Sequence, residues 1–192
     1  GGDQWAAAAA ALAPPAEALA RHVLAGFEAE AAAEGARDGS LMPDEWKREY
    51  QRAKDAVIPV VRLCGRTDSA FAIAKKYLHF ETMVELADEM NTSGGQGYGP
   101  LLELFQTYGD VCGTCLDTFP VFCLKWYEAQ NRPYDLLDVG SKIPSVLGEF
   151  LKDRPHLEWV HCLQTKQYEG AAVTLLAQAE ALGAAAAPPR AR

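Results

Sequence analysis

The sequence predicts an all-α fold, an irregular α-solenoid of stacked antiparallel helix pairs, on three observations. Strand-favouring residues are scarce: Val and Ile total 14, against 21 Leu and 33 Ala in 192 residues, a balance that suits helices and not sheets. Apolar positions recur at three- and four-residue intervals and not in alternation. The segments so marked, about nine or ten of them, are separated mostly by short breaks, and short joints make neighbouring helices antiparallel.

The elements follow in order. Residues 1–40 form an Ala-rich, poorly defined segment, broken by Pro14-Pro15 and ending in Gly35–Ser40. Leu19, Val23, Leu24 and Phe27 predict one helix there, over about 16–33. The helical stack proper is expected over 41–183. Pro43-Asp44-Glu45 opens a helix with acidic residues that suit its dipole; it carries Trp46, Tyr50, Ala53 and Val57, should kink or split at Pro59, and ends at Gly65. Thr67 or Asp68 is the expected cap of the next, with Ala70, Ile73, Ala74 and Tyr77 on one face. After a joint at Leu78-His79, Phe80, Met83, Val84, Ala87 and Met90 mark another, the second arm of an αα-hairpin.

The Gly-rich stretch 92–99 reads as a loop. Pro100 starts a helix carrying Leu101, Leu104 and Phe105. Gly109–Thr114 is a further joint. Phe119, Phe122, Cys123, Trp126 and Tyr127 form the heaviest aromatic stripe, stopped by Asn131-Arg132-Pro133. Ser141 is the expected cap of a helix carrying Ile143, Val146, Leu147, Phe150 and Leu151. Arg154-Pro155 restarts the chain for Leu157, Val160 and Leu163. A last helix, about 167–182, carries Ala172, Leu175, Leu176, Ala179 and Leu182. Residues 184–192, with Pro188-Pro189, are expected to be a disordered tail.

Composition narrows the function. The formal charge is −8 and no basic run exceeds two residues, which argues against a nucleic-acid grip. No run of about 18 apolar residues marks a membrane span, and the Ala6–Ala11 tract lacks the basic flank of a signal peptide. Five cysteines, an odd and sparse number, point to a reducing compartment. A chain opening Gly1-Gly2-Asp3 without Met reads as a piece of a longer protein.

The motifs carry little chemistry. Cys112 and Cys115 form a single Cys-x-x-Cys; a redox site would want it after a strand, and a zinc site needs two more ligands at matching spacing, whereas Cys123, His156, His161 and Cys162 are scattered. The reading that fits best is small apolar fillers around a joint. Gly94–Gly99 lacks the strand before it and the Lys-Ser/Thr after it that a phosphate loop needs. His79, His156 and His161 have no partner at a diagnostic spacing. No catalytic residue, metal ligand or cofactor is assigned, and no enzyme is expected. The helix at Phe80 is more informative. At 100° per residue its apolar arc spans about 160°, wider than one core-facing stripe. An inner helix packed on two sides explains that. The edge formed by Met83, Leu86 and Met90 is the candidate partner-binding site, since Met-rich edges suit such surfaces.

Several segments then resemble one family. Ala74-Lys75-Lys76-Tyr77-Leu78-His79-Phe80-Glu81-Thr82-Met83-Val84-Glu85-Leu86 is similar to a run in the C-terminal helical domain of the nucleoporin 133 family. Phe122-Cys123-Leu124-Lys125-Trp126-Tyr127-Glu128 resembles that family's Trp-Tyr helix. Leu136-Leu137, Leu147–Leu151, His156–His161 and Tyr168–Leu176 follow in the family's order, over roughly 67–180. The Gly-rich loop 92–99 and an insertion at Cys112–Thr118 depart from its pattern. The resemblance implies a structural scaffold subunit of the Y-shaped outer-ring complex of the nuclear pore, at the nuclear envelope, supporting nucleocytoplasmic transport. It implies docking on a helical subunit of the nucleoporin 107 type and on other Y-complex nucleoporins, with no nucleic acid and no direct membrane contact from this segment. Left open are another helical-stack adaptor, such as a vesicle-coat or tetratricopeptide-like protein, and a metal or redox protein built on Cys112 and Cys115.

Overall fold

A computed structural model describes residues 2–35, 42–94, 98–112 and 117–186. Among them the chain forms ten helices: α1 (Gly2–Ala33), α2 (Asp44–Leu63), α3 (Thr67–Lys76), α4 (Phe80–Gly94), α5 (Gly99–Tyr108), α6 (Phe119–Ala129), α7 (Pro133–Gly140), α8 (Pro144–Leu151), α9 (Pro155–Gln164) and α10 (Tyr168–Ala186). An isolated bridge between Cys112 and Thr118 is the only extended pairing among the described residues. None of their helices is long and apolar enough to cross a membrane. The chain divides into two compact units, 1–122 and 123–192.

The helix ends show how sequence fixes the joints. α2 stops at Gly65, whose φ of 78° only glycine adopts without cost. The Gly65 amide donates to the Arg62 carbonyl at 2.8 Å and the Arg66 amide to Val61 at 3.3 Å, the paired bonds of a Schellman ending. The same six-to-one bond closes α3 (His79 to Ala74, 2.9 Å), α6 (Arg132 to Tyr127, 3.0 Å) and α9 (Gln167 to Cys162, 2.7 Å). Each of those turns passes through a non-glycine residue at positive φ: Leu78, Asn131 and Lys166. Proline occupies the first turn of α5, α7, α8 and α9, where its missing N–H leaves nothing unpaired.

The first unit is an alternating stack, and its polar contacts give the directions. Phe27 and Glu30, late in α1, meet Trp46, early in α2. Glu17, earlier in α1, meets Arg66, beyond the end of α2. α1 and α2 are therefore antiparallel. Glu28 in turn meets Lys76 at the end of α3, so α1 and α3 run parallel. Asp55 meets His79 before α4, while Arg62 meets Glu85 and Glu89 within it, so α2 and α4 also run parallel. This alternation is that of stacked antiparallel helices. Leu24, Ile58, Val61, Ile73, Met83, Leu86 and Leu101 are fully buried in this unit. Two aromatic clusters reinforce it, Phe27–Trp46–Tyr50 and Phe119 with Phe80, Phe105 and Tyr108.

The second unit is built from the end of α6 and from α7–α10. Leu136, Leu137, Val139, Leu147 and Leu151 supply its buried side chains. Arg154 ties the α8–α9 joint to α6: its Nε lies 2.8 Å from Glu128 and its guanidinium stacks 3.7 Å over the Phe150 ring.

Several expectations need correction. α1 begins at Gly2, not near 16, and runs through Pro14 and Pro15; alanine, the best intrinsic helix former, occupies Ala6–Ala11 and carries helical dihedrals into the prolines. Buried Ala13, Ala20, Leu24 and Ala31 make α1 part of the first unit. Pro59 lies inside α2 and does not split it. Arg66, and not Thr67 or Asp68, precedes α3, with no side-chain cap. Ser141 does not open α8; it follows α7, and its Oγ donates to the Asp138 carbonyl at 2.6 Å. α7 itself was not among the expected helices. α10 continues to Ala186, so the expected tail begins with helical backbone, and its remainder, 187–192, lies outside the described residues.

Candidate partner-docking surface

Met83 and Leu86 do not form an exposed edge. Both are fully buried, as are Val84 and Ala87, and Thr82 and Asp88 on the same helix are buried too. α4 is packed by α3 on one side and α5 on another. On its α2 side, Arg62 donates to Glu85 at 2.7 Å and also pairs with Glu89. The wide apolar arc is that of an inner helix. Of the three candidate residues Met90 alone keeps surface, and it is half-buried. The structure thus moves the search for a partner surface away from α4.

His79 shows how closely this region is tied internally. It sits buried at the start of α4 and takes the N-cap position: its Nδ1 accepts from the Thr82 amide at 3.4 Å and lies 2.9 Å from Thr82 Oγ1. That leaves the Nε2 proton to be donated to Asp55 on α2, at 2.9 Å. The imidazole is a structural bolt between α2 and α4.

Three titratable groups are shifted by packing. Burial raises the Tyr50 phenol well above its ordinary value, with Glu28 adding to the effect. Glu17 is held below the ordinary carboxylate value by hydrogen bonds from Arg21 and then Ser69. Lys76 is raised by its hydrogen bond to the Tyr77 hydroxyl.

No catalytic set emerges among the described residues. In the second unit α7 and the end of α9 enclose an open cleft of about 480 Å3, lined by Tyr134, Asp135, Asp138, Ser141, His161 and Thr165 among others. The two aliphatic hydroxyls there are committed to helix carbonyls, Ser141 to Asp138 at 2.6 Å and Thr165 to His161 at 2.9 Å, so neither is paired with an imidazole as a nucleophile would be. Cys112 is exposed, Cys64 half-buried, and Cys123 and Cys162 buried, none of these four in a disulfide; Cys115 lies outside the described residues. No group of three His, Cys, Asp or Glu side chains is placed to hold a metal among the described residues.

What the structure does expose is apolar helix surface. On α1, Trp5, Leu12 and Leu19 recur every seven residues and face outward. On α10, Tyr168, Leu175 and Leu182 do the same, with Leu176 and Val173 beside them. The residues expected as the core stripe of the last helix therefore point away from the core. The side that packs on α9 is made of Ala171 with half-buried Gly170, Thr174 and Gln178. A Cβ on Gly170 would stand 3.3 Å from Cys162 Sγ, so small residues let the two helices close together. The heptad spacing 168–175–182 was visible in the sequence; its outward orientation was not.

No protein-family model matches the chain, and no solved structure does. Curated relatives do. The nuclear pore complex protein Nup133 of Drosophila melanogaster is 25% identical over 136 residues, covering 70% of this chain and 10% of that protein. Nup133 of Danio rerio is 24% identical over 136 residues (71% and 11%), and that of Homo sapiens 26% over 135 residues (69% and 11%). Over those residues the chain is similar to Nup133. This Nup133-like chain spans about a tenth of the length of the curated relatives it matches. Its match to them extends well beyond α3 and α4, because about 70% of the chain takes part.

Proposed function

We propose that this Nup133-like domain is a structural scaffold segment of the nuclear pore complex at the nuclear envelope, and not an enzyme. It docks, on this reading, against a neighbouring helical subunit of the nucleoporin 107 type within the outer ring and so supports nucleocytoplasmic transport. The observation that carries the proposal is the shared similarity to Nup133 proteins of fly, fish and mammals over some 130 residues. The fold supports it physically. Helices that lean on their sequence neighbours present long surfaces and need no central pocket. A scaffold requires area of that kind, on the order of 1,600 Å2 for a standard interface.

A chimera tests the pore assignment: human Nup133 with its matching segment replaced by this chain, expressed in cells depleted of the endogenous protein. Accumulation at the nuclear rim is expected. A folded chimera that stays diffuse overturns the assignment. The docking half is read separately, by capture of a purified nucleoporin 107-type helical subunit on the immobilised chain.

A further inference from the structure

α10 carries its large apolar side chains outward. Tyr168, Leu175 and Leu182 are 65, 42 and 71% exposed, and Leu176 is 65% exposed. Ala172 and Ala179, also exposed, fall between them, so the seam alternates large and small residues and admits a second helix at close range. The side of α10 next to this seam is already closed on α9 through Ala171 and Gly170. A row of large exposed apolar side chains along one helix is the kind of surface that marks an interaction site.

Charge decides the occupant. The only charged residues on α10 are Glu169 and Glu180. Eleven residues apart, they lie about 20° apart around the axis and about 16 Å along it, on one flank of the seam. Neither has an ion pair among the described residues. A second copy laid antiparallel on α10 would set Glu169 of one chain beside Glu180 of the other, like against like. A helix with a basic edge meets the same seam without that repulsion.

We propose that the outer face of α10 docks an amphipathic helix of a separate subunit, with a Leu/Ala seam edged by Lys or Arg about eleven residues apart. This rests on the scaffold reading above and names the surface and the partner chemistry within it. The test is calorimetric titration of the intact chain with a synthetic 21-residue helical peptide. The peptide has Leu and Ala at the seam and Lys at two edge positions eleven apart; a twin carries Glu at those two positions. The lysine peptide is expected to bind at least about tenfold more tightly than its twin. Leu175→Glu should weaken it by about 30-fold or more with an unchanged circular dichroism spectrum. Glu169→Lys with Glu180→Lys should reverse the preference between the peptides. Absence of binding, equal affinity for both peptides, a failed reversal, or a native chain that sediments as a dimer dissociated by Leu175→Glu overturns the proposal. Each of these outcomes leaves the rim localisation of the chimera untouched, so the two readings fail separately.

Discussion

Leu86 and Leu175 are the same residue type on helical stripes of similar spacing, yet one is fully buried and the other 42% exposed. Their substitutions should therefore separate. Leu86→Ala removes buried methyl groups from an inner helix and should cost about 2–5 kcal/mol, read from urea denaturation. Leu86→Lys should fail to fold and so reports nothing about a partner. Glu17 offers a second residue-scale test. Its folded pKa lies below the unfolded value of about 4.5 because Arg21 and Ser69 hydrogen-bond the carboxylate. The stability it contributes is thus present above that pH and is lost as pH falls through the folded value. The urea midpoints of the native chain and Glu17→Gln should differ by a constant amount above about pH 5 and converge below 4.5. A difference that grows in acid would refute the assigned ion pairs with Arg21 and Arg66.

At the scale of elements, two glycines in consecutive helices make opposite predictions. Gly148 lies exposed inside α8, and a Cβ there would meet nothing within 4 Å. Gly148→Ala should stabilise by about 0.5–1 kcal/mol, since glycine loses more freedom on folding. Gly140 ends α7 against the next helix, where a Cβ would stand 2.6 Å from Leu147 Cδ1 and 3.1 Å from its Cγ. Leu147 is fully buried and cannot swing clear, so Gly140→Ala should destabilise by about 1–3 kcal/mol. Thermal midpoints that shift in the same direction for both variants would contradict the α7–α8 packing. Elements are also where the sequence was most and least legible. Pro100 and Pro155 mark helix starts because proline is favoured in a helix's first turn. α7 escaped notice because eight residues, with Leu136, Leu137 and Val139 as their main apolar signal, are too few to establish a period. The α10 face was inverted for a different reason. Periodicity weighs large apolar side chains, whereas the side of α10 that packs on α9 is made of Gly170, Ala171, Thr174 and Gln178, with no large apolar residue among them. The α4 arc was measured correctly from sequence, but a wide arc does not distinguish a two-sided core helix from a half-open groove; Arg62 reaching over to Glu85 resolves which it is.

Across the whole molecule the charge is unevenly shared. Residues 1–122 hold 18 Asp and Glu against 10 Lys and Arg, while residues 123–192 hold 8 of each. The entire excess of −8 therefore falls on the first unit. Pairs such as Arg62 with Glu85 and Glu89, and Arg66 with Glu17, place scarce cations between helices where several carboxylates converge, but Glu81 and Glu103 remain exposed. Self-repulsion within a compact unit opposes folding, and salt screens it, with a Debye length of about 30 Å at 0.01 M and about 10 Å at 0.1 M. Raising ionic strength across that range weakens the attractive surface pairs as well, but these are worth little individually, so the net repulsion should dominate the response. Residue-resolved hydrogen exchange is expected to slow in α2–α4 as salt rises and to stay nearly constant in α7–α10. Equal slowing in both units would mean that the response is not electrostatic, and faster exchange in α2–α4 would mean that the Arg62 and Arg66 pairs outweigh the excess negative charge around them.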